Sequence, residues 1–216
     1  MRRMSSHLYG SGYTSRFPDN THGYLWRPVL RAVACLPKGA RILDAGCGNG
    51  YFSNQLYEAG FDVTGVDAEP SGITAARQLW QGVRFEERSV YDDLSGLGKF
   101  DGVVSLEVVE HLYDPRKFVA RVRECLKPGG ILVLTTPYHG WLKNTLIAAS
   151  GSFDAHVSPL WEGGHIKFWS RATLGGLLAQ GGFRVSCIRG AGRLPWIWKS
   201  MIAECVSPQS DPPLAG

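Results

Sequence analysis

The sequence predicts a doubly wound α/β domain, with helices on a mostly parallel seven-stranded sheet that ends in an antiparallel hairpin. Three observations carry that prediction. Short β-branched runs alternate with amphipathic ones from about residue 24 to residue 206. One of the first hydrophobic runs enters a glycine-rich loop that opens a helix, as a strand–turn–helix unit requires. The last two apolar runs leave little room for a crossover helix, so they should pair antiparallel.

The elements follow in order. A helix is expected over Tyr24 to Ala34, then a first strand in Arg41 to Ala45 and a helix from Tyr51 to Ala59. Asp62 to Val66 is the second strand, Ser71 to Gln81 a helix, and Val83 to Glu87 the third strand. Phe100 to Leu106 reads as the fourth strand. In the helix Pro115 to Leu126, Phe118, Val119, Val122 and Leu126 form the apolar stripe opposite Arg116, Lys117, Arg121, Arg123 and Glu124. Lys127-Pro128-Gly129-Gly130 then reads as a stop and a turn before the fifth strand, Ile131 to Thr136. A helix over Arg171 to Gln180 precedes the closing strands Phe183 to Arg189 and Ser200 to Val206. Residues 1–23 are polar and aromatic and read as an arm, 24–206 as the domain with an insert at about 138–164, and the proline-rich 207–216 as a frayed tail.

Composition narrows the function. With 216 residues, 44% hydrophobic and 19% charged, the chain can bury a two-sided core, which excludes wholesale disorder. Twenty-three basic against nineteen acidic side chains give +4, too small and too scattered an excess for a nucleic-acid partner. No apolar run reaches the ~18 residues of a spanning helix. The opening MRRMSSHLYG has no apolar stretch behind its arginines, so a cytoplasmic chain is expected, one that can also meet a membrane face. Cys35, Cys47, Cys125, Cys187 and Cys205 form no CxxC and are expected as reduced, mostly buried thiols.

The strongest motif is Asp44-Ala45-Gly46-Cys47-Gly48-Asn49-Gly50, followed by Gly65-Val66-Asp67-Ala68 at the next strand tip. Glycines let the backbone turn sharply and approach a ligand closely. Asp67 is placed to accept both ribose hydroxyls of a nucleoside. A dinucleotide fingerprint wants Gly-x-Gly-x-x-Gly, but Tyr51 stands at its last position. Asp44 would repel a phosphate and suit a cationic amino group. A carboxylate on each side of the loop therefore fits a phosphate-free, cationic nucleoside, S-adenosyl-L-methionine.

On this loop and the GVD tip the chain resembles the class I S-adenosylmethionine-dependent methyltransferases, from about Tyr24 to Val206. The resemblance implies cofactor contacts from Gly46, Cys47, Gly48, Gly50, Asp67 and Ala68, and from Leu106 at the fourth strand tip. It implies an adenine contact at Ser89 and Val90, where the family usually carries an acidic residue. An arginine near Arg27 would meet the methionine carboxylate, with Arg31 the competing position. Cys47 also reads simply as a small tolerated side chain.

After the fourth strand comes Glu107-Val108-Val109-Glu110-His111, whose i, i+3, i+4 spacing would put two carboxylates and an imidazole on one face of a helical turn. With Leu112, Asp114 and Pro115 beyond it, this turn resembles the ubiquinone-pathway O-methyltransferases, as do Thr135-Thr136-Pro137 and Gly164-His165-Ile166-Lys167-Phe168. That resemblance implies Glu107, Glu110 and His111 as Mg2+ ligands beside the acceptor. The residues themselves equally allow a metal-free, hydrogen-bonded turn. In that case His111 or His165 is the general base for a phenol, with His139 a weaker candidate and Glu107 contributing to catalysis. The expected reaction is O-methylation of a small hydrophobic or phenolic acceptor. Alternatives are N- or C-methylation of a lipid or natural product, and a cofactor-binding regulator without turnover. No Asn/Asp-Pro-Pro-Tyr follows the fourth strand, which argues against base methylation. The apolar insert around Trp141, Leu142, Lys143, Leu146, Phe153 and Trp161 fits either a lid over the pocket or a lipid contact through 141–161.

Overall fold

The computed structural model describes residues 22–157 and 163–209. Seven strands form one sheet in the spatial order β3-β2-β1-β4-β5-β7-β6. These are β1 (Arg41–Ala45), β2 (Asp62–Asp67), β3 (Arg84–Glu87), β4 (Phe100–Leu106), β5 (Leu126–Pro137), β6 (Arg184–Ala191) and β7 (Ser200–Val206). The first five run parallel, while β7 pairs antiparallel with both β5 and β6. The expected mostly parallel sheet with a closing hairpin is therefore present.

Central strands are apolar at consecutive positions because helices cover both faces of the sheet. Leu43, Val103, Leu132 and Leu134 point to one side, packing with Phe118 and Val122 of α4 (Pro115–Cys125) and with Leu174 and Leu178 of α7 (Arg171–Gln180). Ile42, Val104, Val133 and Ile202 point to the other. There they meet Leu25 and Val29 of α1 (His22–Val33), Phe52 and Leu56 of α2 (Tyr51–Glu58), and Ile73 and Ala76 of α3 (Pro70–Leu79). The odd–even split along each strand is the period-2 geometry of a strand made visible in two cores.

Several boundaries differ from the sequence reading for physical reasons. Helix α1 starts at His22, so the end of the expected arm is already helical; the rest of the arm, 1–21, lies outside the described residues. Lys127-Pro128-Gly129-Gly130 does not separate α4 from the fifth strand. It is a bulged excursion inside β5: Leu126 pairs with Phe100, and pairing resumes at Ile131 opposite Gly102. Gly129 makes this possible with φ 73°, and the Lys127 ammonium reaches Asp101 Oδ1 at 2.7 Å. The excursion is closed by the segment after β7, with Ser207 N–H donating to Gly130 O at 2.8 Å and Gly129 N–H to Pro208 O at 3.2 Å. Residues 210–216 lie outside the described residues, as do 158–162 of the insert. The insert contributes two short helices, α5 (Trp141–Ala149) and α6 (Phe153–Val157). Among the described residues, no helix is long and apolar enough to cross a membrane.

This topology puts the ends of β1, β2, β4 and β5 on one edge of the sheet. Because β7 runs the other way, its first residue, Ser200, joins that edge opposite Pro137.

Candidate active site

The glycine loop is built from backbone hydrogen bonds at the ends of β1 and β2. The N–H groups of Gly46 and Cys47 both donate to Val66 O, at 2.8 and 3.0 Å, and Gly48 N–H donates to Asp67 Oδ2 at 2.8 Å. Gly46, Gly48 and Gly50 all have positive φ, at 86°, 53° and 73°. At two of them a side chain is excluded by neighbours as well: a Cβ on Gly46 would lie 2.4 Å from Val108 Cγ2, and one on Gly50 2.4 Å from the Phe85 ring. Trp80 Nε1–H donates to Asn49 O at 2.9 Å and pins the far side of the loop.

Two carboxylates flank this loop. Asp67 sits at the tip of β2 with Oδ2 taking the Gly48 N–H and Oδ1 taking the Glu69 N–H at 2.9 Å, which fixes its plane. Its remaining lone pairs suit two vicinal hydroxyls. Asp44 is 1% exposed and accepts a hydrogen bond from Ser53 Oγ at 2.6 Å. Burial pushes its carboxyl up to about 7, opposed by the Ser53 bond and reinforced by the negative charge of Asp67. No cation pairs with it among the described residues. The pair fits a ligand with ribose hydroxyls at one end and a cationic amine at the other.

Other expected cofactor residues are placed as follows. Cys47 is buried, and burial raises its thiol well above the usual range, so its small size under the loop is what matters. Its Sγ would lie 2.9 Å from a Cβ on Gly65. Leu106 ends β4 beside Thr135, half-buried. Ala68 is exposed just beyond Asp67. Ser89 N–H is held by Asp92 Oδ2 at 2.8 Å, its Oγ accepts from Tyr91 N–H at 3.2 Å, and Val90 is buried in the core. Arg27 and Arg31 are both exposed on α1, so the geometry favours neither.

The turn after β4 corrects the sequence reading. Only Val109–His111 forms a turn of 3-10 helix, and Glu107 stands outside it with φ 55°. Glu107 therefore does not share a face with Glu110 and His111. Its carboxylate takes Thr135 Oγ1–H at 2.8 Å and Ser200 Oγ–H at 3.1 Å, and Ser200 Oγ lies 2.8 Å from the Tyr24 hydroxyl. Burial raises the Glu107 carboxyl to about 7 and the Tyr24 hydroxyl to about 12. The group that does converge is Glu110, His111 and His165, with one polar atom of each lying within 4.8 Å of the others. Glu110 is 1% exposed; its Oε2 accepts from Thr136 Oγ1 at 3.0 Å, while its buried Oε1 has no hydrogen-bond partner and lies 4.0 Å from His111 Nε2. Burial drives the Glu110 carboxyl well upward. The backbone carbonyl of Glu110 takes both Ile166 and Lys167 N–H at 2.9 Å, which ties the His165 loop to this turn.

His111 Nδ1 lies 3.2 Å from Gly164 O. A carbonyl only accepts, so Nδ1 carries the proton and a neutral ring keeps its lone pair on Nε2. His165 meets His111 edge-on, with centroids 4.9 Å apart, and burial pushes its imidazole down to about 4. His139, expected as a weaker base, is not one of the converging three; it packs against His156 and Phe168, and its Nδ1–H donates to Asn144 Oδ1 at 3.2 Å. One carboxylate with two imidazoles is a poor set for Mg2+, which favours oxygen donors, and suits a later transition metal better. The expected ligand set of Glu107, Glu110 and His111 is not assembled.

Thr136, Ser200, Tyr24 and Ser53 were missed as site residues, because strand register and helix docking bring them in. Val108 links the two halves: its contact with Gly46 puts the glycine loop directly against the turn that carries His111.

A family model described as a methyltransferase domain matches residues 18–188. The ubiquinone biosynthesis O-methyltransferase of Cereibacter sphaeroides is 42% identical over 103 residues, covering 46% of this chain and 42% of that protein. The protein of the same name from Xanthomonas axonopodis pv. citri is 32% identical over 165 residues, covering 74% of this chain and 69% of that protein. The matched stretch is thus less than half the length of the Cereibacter relative. Among solved structures, magnesium protoporphyrin IX methyltransferase from Synechocystis PCC 6803 with bound SAH superposes with a TM-score of 0.63. It is 22% identical, covering 83% of this chain and 79% of that one, a likeness of fold.

Proposed function

We propose, from the premise that this chain belongs to the family of class I S-adenosylmethionine-dependent methyltransferase domains, that it methylates a small phenolic acceptor at oxygen. The observation that carries the reading is the contact of the Gly46 loop with Val108, in the segment that leads into Glu110 and His111, which converge with His165. The similar ubiquinone biosynthesis O-methyltransferases support oxygen as the accepting atom.

Bound S-adenosylmethionine supplies an electrophilic methyl group on a sulfonium centre. The chain's own residues hold it and prepare the acceptor. Asp67 takes the ribose hydroxyls, and ionised Asp44 pairs with the amine at the other end of the ligand. His111 Nε2 accepts the phenol proton as the oxygen attacks, and Gly164 O keeps the ring in the tautomer that can do so. Glu110 Oε1 lies 4.0 Å from that nitrogen, on a carboxyl that burial biases toward its protonated form, so Glu110 lines the ring and does not neutralise it. His165 is neutral at pH 7 and forms the edge-on wall of the pocket. Glu107, held between two hydroxyls, shapes the floor and takes no proton from the acceptor. No step runs through Mg2+, whose preferred donors this group does not supply.

Rate measurements against a catechol panel test this reading. His111→Ala should lower kcat by about 10²–10⁴-fold while SAH affinity stays within twofold of wild type. An unchanged kcat would remove His111 from the reaction.

The insert supports a membrane-facing acceptor entrance. Trp141, Leu146 and Phe153 are exposed on α5 and α6, with Leu194 and Trp196 exposed on the β6–β7 loop. Tryptophan beside apolar side chains suits the headgroup boundary of a bilayer. Flotation with anionic liposomes should retain wild type and lose a Trp141→Ser, Phe153→Ser double variant; equal partitioning of the two would defeat the lipid contact.

A further inference from the structure

Helix α5 docks in an inverted sense. Of its nine residues the buried one is Lys143, while Trp141 and Leu146 stand 77% and 51% exposed. An amphipathic helix ordinarily docks through its apolar stripe and leaves its charges in water. Here the side chain that goes deepest is a cation, with Leu142 and Ile147 only partly covered. A helix this short is marginal by itself, so whatever holds α5 against the domain also keeps it helical.

The ammonium lands on a junction. Lys143 Nζ donates to Lys199 O at 3.3 Å, and the same carbonyl takes Tyr138 N–H at 3.1 Å. The next residue, Ser200, gives its hydroxyl to Glu107 at 3.1 Å and meets the Tyr24 hydroxyl at 2.8 Å. One dipeptide at the start of β7 thus joins the insert, helix α1 and Glu107. Across it the Glu107 carboxylate attracts the Lys143 ammonium, and Arg193 of the β6–β7 loop repels it. The insert also borders the acceptor side. His156 of α6 meets His139 edge-on at 5.3 Å, and the Lys143 charge reaches His165, which meets His111.

We propose that Lys143 is a positioning residue for methyl transfer: its ammonium, seated on Lys199 O beside Glu107, sets how firmly α5 closes over the acceptor side of the site. The role in methyl transfer rests on the O-methylation reading, whereas the closure itself does not.

Closure is then tied to pH. Burial, reinforced by Arg193 and opposed by Glu107, lowers the docked ammonium from 10.5 to about 8. Closing therefore favours loss of the proton, and α5 holds more firmly as pH rises from about 8 toward 10.5. Glu107 works in the same direction. Burial raises its carboxyl to about 7 while Lys143 draws it down, so its ionisation above about 7 favours the closed helix. The hold is weakest below about 7, where a buried ammonium faces a neutral Glu107. Of the other facing groups, Tyr24 at about 12 and His139 and His165 at about 4 keep one charge state through this range. His156 is lowered by burial, and Glu110 is raised by burial and by Glu107.

Hydrogen exchange of the cofactor-free full chain, read on α5 peptides and corrected for intrinsic rates, measures closure without turnover. Protection of α5 relative to α7 should rise at least about tenfold between pH 6.5 and pH 9.5. Lys143→Met should flatten that rise, and Lys143→Arg, which keeps its charge, should stop it at about pH 8. A flat wild-type profile would overturn the proposal without any variant needing to fold, and so would a rise that survives in Lys143→Met. Acceptor KM for catechol, with S-adenosylmethionine saturating, reads the positioning role. The ratio of wild-type to Lys143→Met KM should grow at least about threefold as pH falls from 9 to 6.5. A constant ratio would take Lys143 out of methyl transfer. Absence of transfer in both proteins would instead overturn the O-methylation reading, and with it this role, while exchange still decides the closure.

Discussion

Asp44 holds its proton near neutral pH because burial disfavours its charge and no described cation pairs with it. A cationic ligand pairs only with the ionised form, so binding must expel that proton. SAH affinity should therefore fall about tenfold per pH unit below about 7, and calorimetry on Asp44→Asn should show weaker binding without that slope. Asp67 is oriented by the backbone N–H groups of Gly48 and Glu69. Asp67→Ala should weaken SAH by one to two orders of magnitude in the same calorimeter, because two charge-assisted hydrogen bonds are lost. Both residues were legible in the sequence because each stands next to a glycine signal at a strand tip. Glu107 was misread for a local reason. The i, i+3, i+4 rule assumes a continuous helical turn, and a residue at φ 55° breaks it, turning the carboxylate toward Thr135 and Ser200.

At the scale of the elements, the strands and helices with strong punctuation were read closely. Helix α7 occupies Arg171–Gln180 as expected, and its start is fixed by a reciprocal pair: Ser170 Oγ accepts from Thr173 N–H and Thr173 Oγ1 from Ser170 N–H. Ser170→Ala should cost about 1 kcal/mol and lower the midpoint of thermal unfolding by about 2–4 °C, with cofactor affinity unchanged. The Lys-Pro-Gly-Gly segment misled because its turn signal is real, yet the chain stays in the sheet: the bulge absorbs the extra residues and the stretch after β7 pairs with it. No local pattern encodes that partnership, which joins residues far apart in sequence. The pocket's far wall was invisible for the same reason, since Ser200 reaches Glu107 only through the antiparallel register of β5 and β7.

For the molecule as a whole, the site's ionisable groups pull on stability in opposite directions. Asp44 and Glu107 have folded values raised to about 7, so the stability they contribute is complete below the usual carboxylate range and is lost as pH rises through about 7. His139 and His165 are lowered to about 4, so their contribution is present above the usual imidazole range and is lost as pH falls toward 4. The two trends offset one another between those limits in wild type. Replacing one group exposes its share: Asp44→Asn should melt several °C higher than wild type at pH 8 and no higher at pH 4, in scanning calorimetry of the cofactor-free protein. A rise at both pH values would mean that packing, not charge, sets the difference.

The placement of β7 between β5 and β6 has a consequence during synthesis. Strands β1 to β5 can assemble as soon as they leave the ribosome, but β5 then presents a bare, hydrophobic rim through Leu132 to Leu134 until the residues of β7 emerge and dock along it. The edge that carries Glu107 is thus completed by the last-made strand of the described sheet, and a nascent fragment stopping short of Ser200 would hold the glycine loop while leaving an adhesive flank open to its neighbours.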